Sequence, residues 1–232
     1  MKSISLAVRK YIFAIILPAC VPLLFAQNSD WGVWTTVDAE KQLSKNWELG
    51  TGVEYRWQDN VSNQIRGKLG ASRKMGEYVK LGAGYALIAD KKAGRDDFEY
   101  RNRFFLQASG SYRYARFTAS LRTRMQLTLQ ETDGPRGNLF KDDDSFNWVW
   151  RNRFELKYGI KGVPLEPYAN IELFYHPFGD SETVRYYQNR LSVGLVYTFA
   201  NRHTLETGYK LENEIGGSRK YHIIELGYAY SF

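Results

Sequence analysis

The side chains best suited to chemistry are arginines spaced two apart: Arg101 and Arg103, Arg122 and Arg124, Arg151 and Arg153, with Arg56, Arg66 and Arg190 standing singly. In an extended strand that spacing puts both members of a pair on one face. Lys68, Lys157 and Lys210 fall on the same alternation. So do the acids Asp38, Glu40, Glu54, Glu155, Glu172, Glu206, Glu212 and Glu225. Two outcomes are open to such a face if it is enclosed. Rings of guanidinium groups select anions along a narrow passage. Alternatively, cations and acids satisfy one another as a salt-bridged network that plugs the interior.

Other chemistries have less to draw on. The histidines are His176, His203 and His222, and a lipid-modifying enzyme would need one of them beside a serine. Ser181 and Ser218 lie in stretches neighbouring His176 and His222, but no nucleophile-elbow motif is present. A lone interfacial histidine is expected to be an aromatic-belt residue, so no enzyme is expected. Lys141 to Ser145 read "KDDDS". Contiguous acids lack the ligand spacing of a calcium loop, so no metal site and no cofactor are expected.

The elements that must position these residues are strands. Residues 1–26 carry a basic start (Lys2, Arg9, Lys10) and the apolar run "YIFAIILPACVPLLFA", the layout of a secretory signal peptide cleaved after Ala26. Lipoprotein processing at Cys20 is the rival, but the apolar run continues beyond that cysteine. Cleavage leaves residues 27–232 without cysteine and with 29 cations against 25 acids. That mild charge, with export, argues against a nucleic-acid partner.

From Trp31 onward the period is two. "WELGTGVEYRW" sets Leu49, Val53, Tyr55 and Trp57 opposite Glu48, Glu54 and Arg56. Eleven such segments run over about 31–43, 47–57, 63–74, 78–89, 98–113, 117–130, 146–159, 165–176, 184–199, 203–213 and 219–232. Most exceed the roughly 5–6 residues of a typical soluble strand. They suit tilted strands that cross a bilayer with about 9–11 residues in the hydrocarbon. A soluble sandwich is the second choice.

Connections alternate between short ("SKN", "MGE", "YAR", "IKGVP", "ANR") and longer polar ("QDNVS", "DKKAGRDD", "ETDGPRGNLFKDDDS", "PFGDSET", "EIGGS"). Outer-membrane barrels show that alternation, with the short turns periplasmic. Aromatic residues gather at both ends. Trp47, Tyr78, Tyr112, Phe117, Tyr158, Tyr197, Phe199, Tyr230 and Phe232 lie near the short turns. Trp31, Trp57, Tyr100, Trp148, Trp150, Tyr175 and Tyr187 lie near the long connections. Two girdles flanking an aliphatic band match headgroups and tails. "YRNRF" (100–104) recurs as "WRNRF" (150–154) and more weakly as "YQNRL" (187–191), each opening a strand after a long connection.

The opening "WGVWTTVDAEKQLSKNWELGTGVEYRW", the "RNRF" strand starts, "LEPYANIELFY" and the closing aromatic strand resemble the DUF2490 family of uncharacterised outer-membrane barrels. The resemblance implies a barrel in the outer membrane of a Gram-negative bacterium and assigns no activity. Glu225, Gly227, Tyr230 and Phe232, with Tyr228 between, resemble the C-terminal assembly signal of such barrels: polar, x, Gly, x, x, aromatic, x, aromatic. The expectation is therefore an all-β transmembrane antiparallel β-barrel of ten to twelve strands, an even count being usual. Its partners would be outer-membrane lipids and lipopolysaccharide, the barrel-assembly machinery during insertion, and an envelope protein. Its task would be structural or interactive, with a narrow anion channel as the alternative and an outer-leaflet lipid-modifying enzyme as a third.

Overall fold

In the computed structural model, the described residues are 29–58, 62–92, 97–130, 146–177, 185–216 and 220–232. The expected signal peptide, Cys20, Ser181, Ser218 and the 141–145 acidic run lie outside them. The described residues form strands and turns only. The strands are β1 (Ser29–Gln42), β2 (Trp47–Gln58), β3 (Ser62–Met75), β4 (Val79–Lys92), β5 (Glu99–Tyr114), β6 (Phe117–Gln130), β7 (Phe146–Tyr158), β8 (Leu165–His176), β9 (Arg185–Phe199), β10 (His203–Glu214) and β11 (Lys220–Ser231). The alternation in the sequence located all eleven to within a few residues, because a period of two sorts side chains only in an extended chain.

Each strand pairs antiparallel with its chain neighbour, and β1 closes on β11 to make a barrel. The count is eleven, within the expected ten to twelve and matching the eleven segments of the sequence, although an even number is usual in such barrels. With an odd number of alternating strands the first and last must point the same way, so the closing pair is parallel. Its register runs unbroken from Ser29↔Lys220 to Glu40↔Ser231. The first segment is thus a full strand of 14 residues. Parallel pairing is slightly weaker per residue, but closure removes the open edge that would otherwise seek another chain.

Four of the five short turns use left-handed backbone. Gly76 (φ 77) and Gly162 (φ 80) are the expected residue type there, while Ala115 (φ 53), Ala200 (φ 49) and Asn201 (φ 57) adopt it without being glycine. The chain end is tied down as well: the Phe232 amide donates to the Glu40 carbonyl at 2.8 Å and the Ser231 amide to the Arg202 carbonyl at 2.9 Å.

Burial is inverted relative to a soluble barrel. Val37, Val53, Leu69, Leu106, Leu121, Val193 and Leu226 are all exposed on the outer face. The buried side chains instead include Glu172, Arg190, Glu212, Gln126 and Glu155. Above and below the aliphatic zone the rings gather as expected: Trp150–Tyr175–Tyr186 at one end, Tyr78–Tyr112, Phe117–Tyr158 and Tyr230–Phe232 at the other.

One girdle assignment needs correction. The β8–β9 register shifts between Phe174 and Tyr175, so that Tyr175 pairs with Tyr186 and Phe174 with Gln188. Tyr187 is the extra residue of this bulge. It stacks on His176 and meets Phe174 edge-on at the inner wall rather than joining the outer belt. A bulge re-aims one side chain without changing its sequence neighbours, which is why alternation alone misplaces it.

Inside, two bulky rings lie over pairs of facing glycines. Phe105 on β5 covers Gly84 and reaches toward Gly70. Tyr168 on β8 lies over Gly194 and Gly208, where an added Cβ would stand 2.8 Å and 2.7 Å from its ring and hydroxyl. Gly70 pairs with Gly84, and Gly194 with Gly208. Each glycine gap is needed because the aromatic group occupies the space a neighbouring side chain would take.

Candidate functional site

The strand alternation sets the arginines and acids of the inner face on the walls of the lumen cavities, or in ion pairs with residues that line them, as Glu155 is with Arg153 and Glu212 with Arg190. Glu172 on β8 is the hub. It takes Arg151 at 2.7 Å from β7, Arg122 at 2.9 Å from β6 and Arg190 at 3.9 Å from β9. Arg190 also pairs with Glu212 on β10. Glu54 pairs with Arg56 on its own strand and with Arg66 at 3.3 Å on β3. Lys210 pairs with Glu225. Lys68 meets Asp38 at 2.9 Å, and Arg153 (3.7 Å) and Lys157 (3.4 Å) share Glu155. Glu206 accepts from the Tyr168 hydroxyl at 2.7 Å.

Two pairs were not anticipated. Arg101 pairs with Asp90 on β4, and Lys80 with Glu48 at 2.7 Å. Inner aromatics were also missed, although their place in the alternation marks them. Trp34 shares a face with Asp38 and is buried, with Arg56 3.5 Å, Lys210 4.4 Å and Arg190 5.2 Å from its ring centroid. Phe174 takes Arg151 at 4.7 Å and Arg190 at 4.5 Å. Cations above ring faces gain from the ring quadrupole, more so where water is excluded.

The arginines are not all matched by acids. Among the described residues, no carboxylate stands within ion-pair distance of Arg103 or Arg124. Arg103 donates to the Thr128 hydroxyl at 2.9 Å. Arg124 donates to the Gln107 carbonyl oxygen from Nε at 3.0 Å and lies 4.4 Å over Phe105.

Two cavities share a wall of Arg56, Arg66, Arg103, Gln126, Arg151 and Arg190. The one toward the short turns, about 330 Å³, mixes signs and is lined by Asp38, Glu54, Glu172, Glu206 and Glu225 as well as cations. The one toward the long connections, about 240 Å³, is lined by six arginines and by neutral Gln126, Thr128, Asn147 and Gln188, with no carboxylate among the described residues. The weak repeat explains part of this. "RNR" on β5 and β7 and "QNR" on β9 lie on alternate strands running the same way, so they deliver Arg101, Arg103, Arg151 and Arg190 to one zone. The asparagines between them turn outward, and two find tyrosine hydroxyls: Asn102 with Tyr85 at 2.5 Å, Asn189 with Tyr186 at 2.8 Å.

The histidines sit in ring clusters. His176 Nδ1 is 3.2 Å from the Trp148 carbonyl oxygen. His203 Nδ1 is 2.9 Å from the Tyr228 hydroxyl, with its ring stacked on Phe199. His222 bonds the Tyr209 hydroxyl and stacks on Trp31. None bonds a serine or a carboxylate among the described residues. In the proposed assembly signal, Tyr228, Tyr230 and Phe232 join that His203 cluster, while Glu225 and Gly227 face inward.

No curated protein matches the chain. Among solved structures, the β-domain of the Bordetella autotransporter BrkA is similar at 13% identity and a TM-score of 0.45, over 87% of this chain and 95% of that one. A family profile described as protein of unknown function (DUF2490) matches residues 31–221, most of the chain, and the protein belongs to that family.

Proposed function

We propose that this protein is an integral outer-membrane β-barrel whose charged lumen is braced by ion pairs, and that it serves the cell envelope as a non-enzymatic structural or interaction component. The observation that carries the reading is the outer face. A closed barrel displays a continuous zone of exposed Val and Leu between two aromatic girdles, and turns nearly all strand charges inward. In water so large an apolar surface would drive association. In a bilayer it is the contact surface, and closure leaves no backbone group of the paired strands unsatisfied.

Lipids and lipopolysaccharide are the partners this surface fits. The barrel-assembly machinery would read the last strand, where Tyr228, Tyr230 and Phe232 cluster beside the seam with β1. The histidines' ring, hydroxyl and carbonyl partners support a non-enzymatic role, since among the described residues none is oriented by an acid as a catalytic base requires. A small-anion channel is the second reading, favoured by the arginine wall common to the two cavities.

Cell fractionation and heat-modifiable gel migration test the membrane reading: the folded chain should partition with outer membranes and run faster unheated than boiled. Recovery as a soluble periplasmic protein would overturn it. Planar-bilayer recording separates the two roles. A braced lumen stays silent in high salt, whereas anion-selective steps that disappear in Arg153→Glu would favour the channel.

A further inference from the structure

The cavity with no carboxylate among its described lining asks for an anion. Arg56, Arg66, Arg101, Arg103, Arg151 and Arg190 line it. Four acids pair with members of this set: Glu54, Asp90, Glu172 and Glu212. Glu172 is further shared with Arg122. Among the described residues, six guanidiniums against four carboxylates leave an excess of two positive charges. Arg103 is one of them by geometry, since among the described residues its side chain donates to the Thr128 hydroxyl and no carboxylate stands within ion-pair distance. The Nε atoms of Arg101 and Arg151 are buried with no hydrogen-bond partner. Unmatched buried guanidinium groups are costly unless an anion joins them. Guanidinium groups are donors only, and the amide groups of Gln126, Gln188 and Asn147 on the lining can donate as well.

We infer that this cavity is a binding site for a small dianionic oxyanion of the phosphate class, held by the unpaired Arg103 together with Arg101 and Arg151 on the same wall. Guanidinium forks match phosphoryl oxygens in pairs, and two surplus charges match a dianion better than chloride. Neighbouring strands are hydrogen-bonded all round the barrel, so the anion reaches the site along the lumen rather than through the wall. The mixed cavity beyond the arginine wall is less favoured, because Asp38, Glu54, Glu172, Glu206 and Glu225 stand among its cations and compete for their donors. The inference rests on the inner face and is separable from the membrane reading.

The test is calorimetric titration of the full chain, refolded in detergent, with inorganic phosphate against chloride at matched ionic strength. Heat-modifiable migration is checked on every sample, so loss of the barrel and loss of the site are told apart. Phosphate should bind saturably and chloride should not. Arg103→Gln should weaken phosphate at least tenfold. Arg124→Gln, which removes the other unpaired arginine but does not line this cavity, should change it less than twofold. Dihexanoyl phosphatidate titrated in parallel identifies the source: binding by both ligands assigns the free ion, and binding by the lipid alone, still lost in Arg103→Gln, assigns a phosphate headgroup. No saturable binding of either ligand to the folded barrel, or equal losses in the two arginine variants, overturns the inference.

Discussion

The two lumen cavities share one wall of arginines, yet they are opposite in design. Toward the short turns, each of Lys68, Lys210, Arg122 and Arg153 has an acid within reach, and the space between is braced by Phe105 and Tyr168 over their glycine pairs. Toward the long connections, the acids that pair with the arginines do not line the cavity, whose described surface is six arginines with amide, hydroxyl and apolar groups. One half is held together by its charges. The other concentrates charge of one sign, which a fold does only at some expense in stability. The difference teaches that inward charge in this barrel is not one network but a brace and a binding surface set end to end.

The largest expected effect comes from breaking the brace. Glu172→Gln leaves Arg122, Arg151 and Arg190 without their common carboxylate, and removal of one partner from a buried pair costs about 3–5 kcal/mol. Urea unfolding of the refolded barrel measures it, and a loss under about 1 kcal/mol would mean that water screens this region as it does a surface pair. Next are the glycine gaps. Gly84→Val must displace the Phe105 ring, an overpacking that costs about 1–3 kcal/mol. Gly67→Val faces open space and should be neutral in the same assay. Equal effects at the two positions would show that strand propensity, not the aromatic cover, governs these glycines. The smallest change, and of opposite sign, is expected at Arg103. Arg103→Gln relieves repulsion with the surrounding arginines and should leave stability unchanged or raise it by about 1 kcal/mol. A loss comparable to that of Glu172→Gln would erase the distinction between the two halves.

Much of this was legible in the chain. Strand count, strand limits, the inward set from Arg56 to Glu225 and the alternation of short and long connections all follow from a period of two, which is local. The repeat at 100–104, 150–154 and 187–191 was visible too, but its meaning was not. Only the barrel brings β5, β7 and β9 round to a common zone and places Arg56 and Arg66 opposite them. Tyr187 shows the same limit in one residue: a bulge reverses its side while its neighbours in sequence remain unchanged.

The amino-acid sequence by itself determined which side chains face in and which face out, because side-chain direction in a strand depends on nothing beyond the backbone's own pleat. The tertiary structure alone decided how the strands closed and which charges met. Closure depends on the parity of the whole set, so a parallel seam between β1 and β11 cannot be read from either strand. Pairing depends on register and curvature summed over several strands, and these gave Glu172 three arginines and left Arg103 with none of the acids.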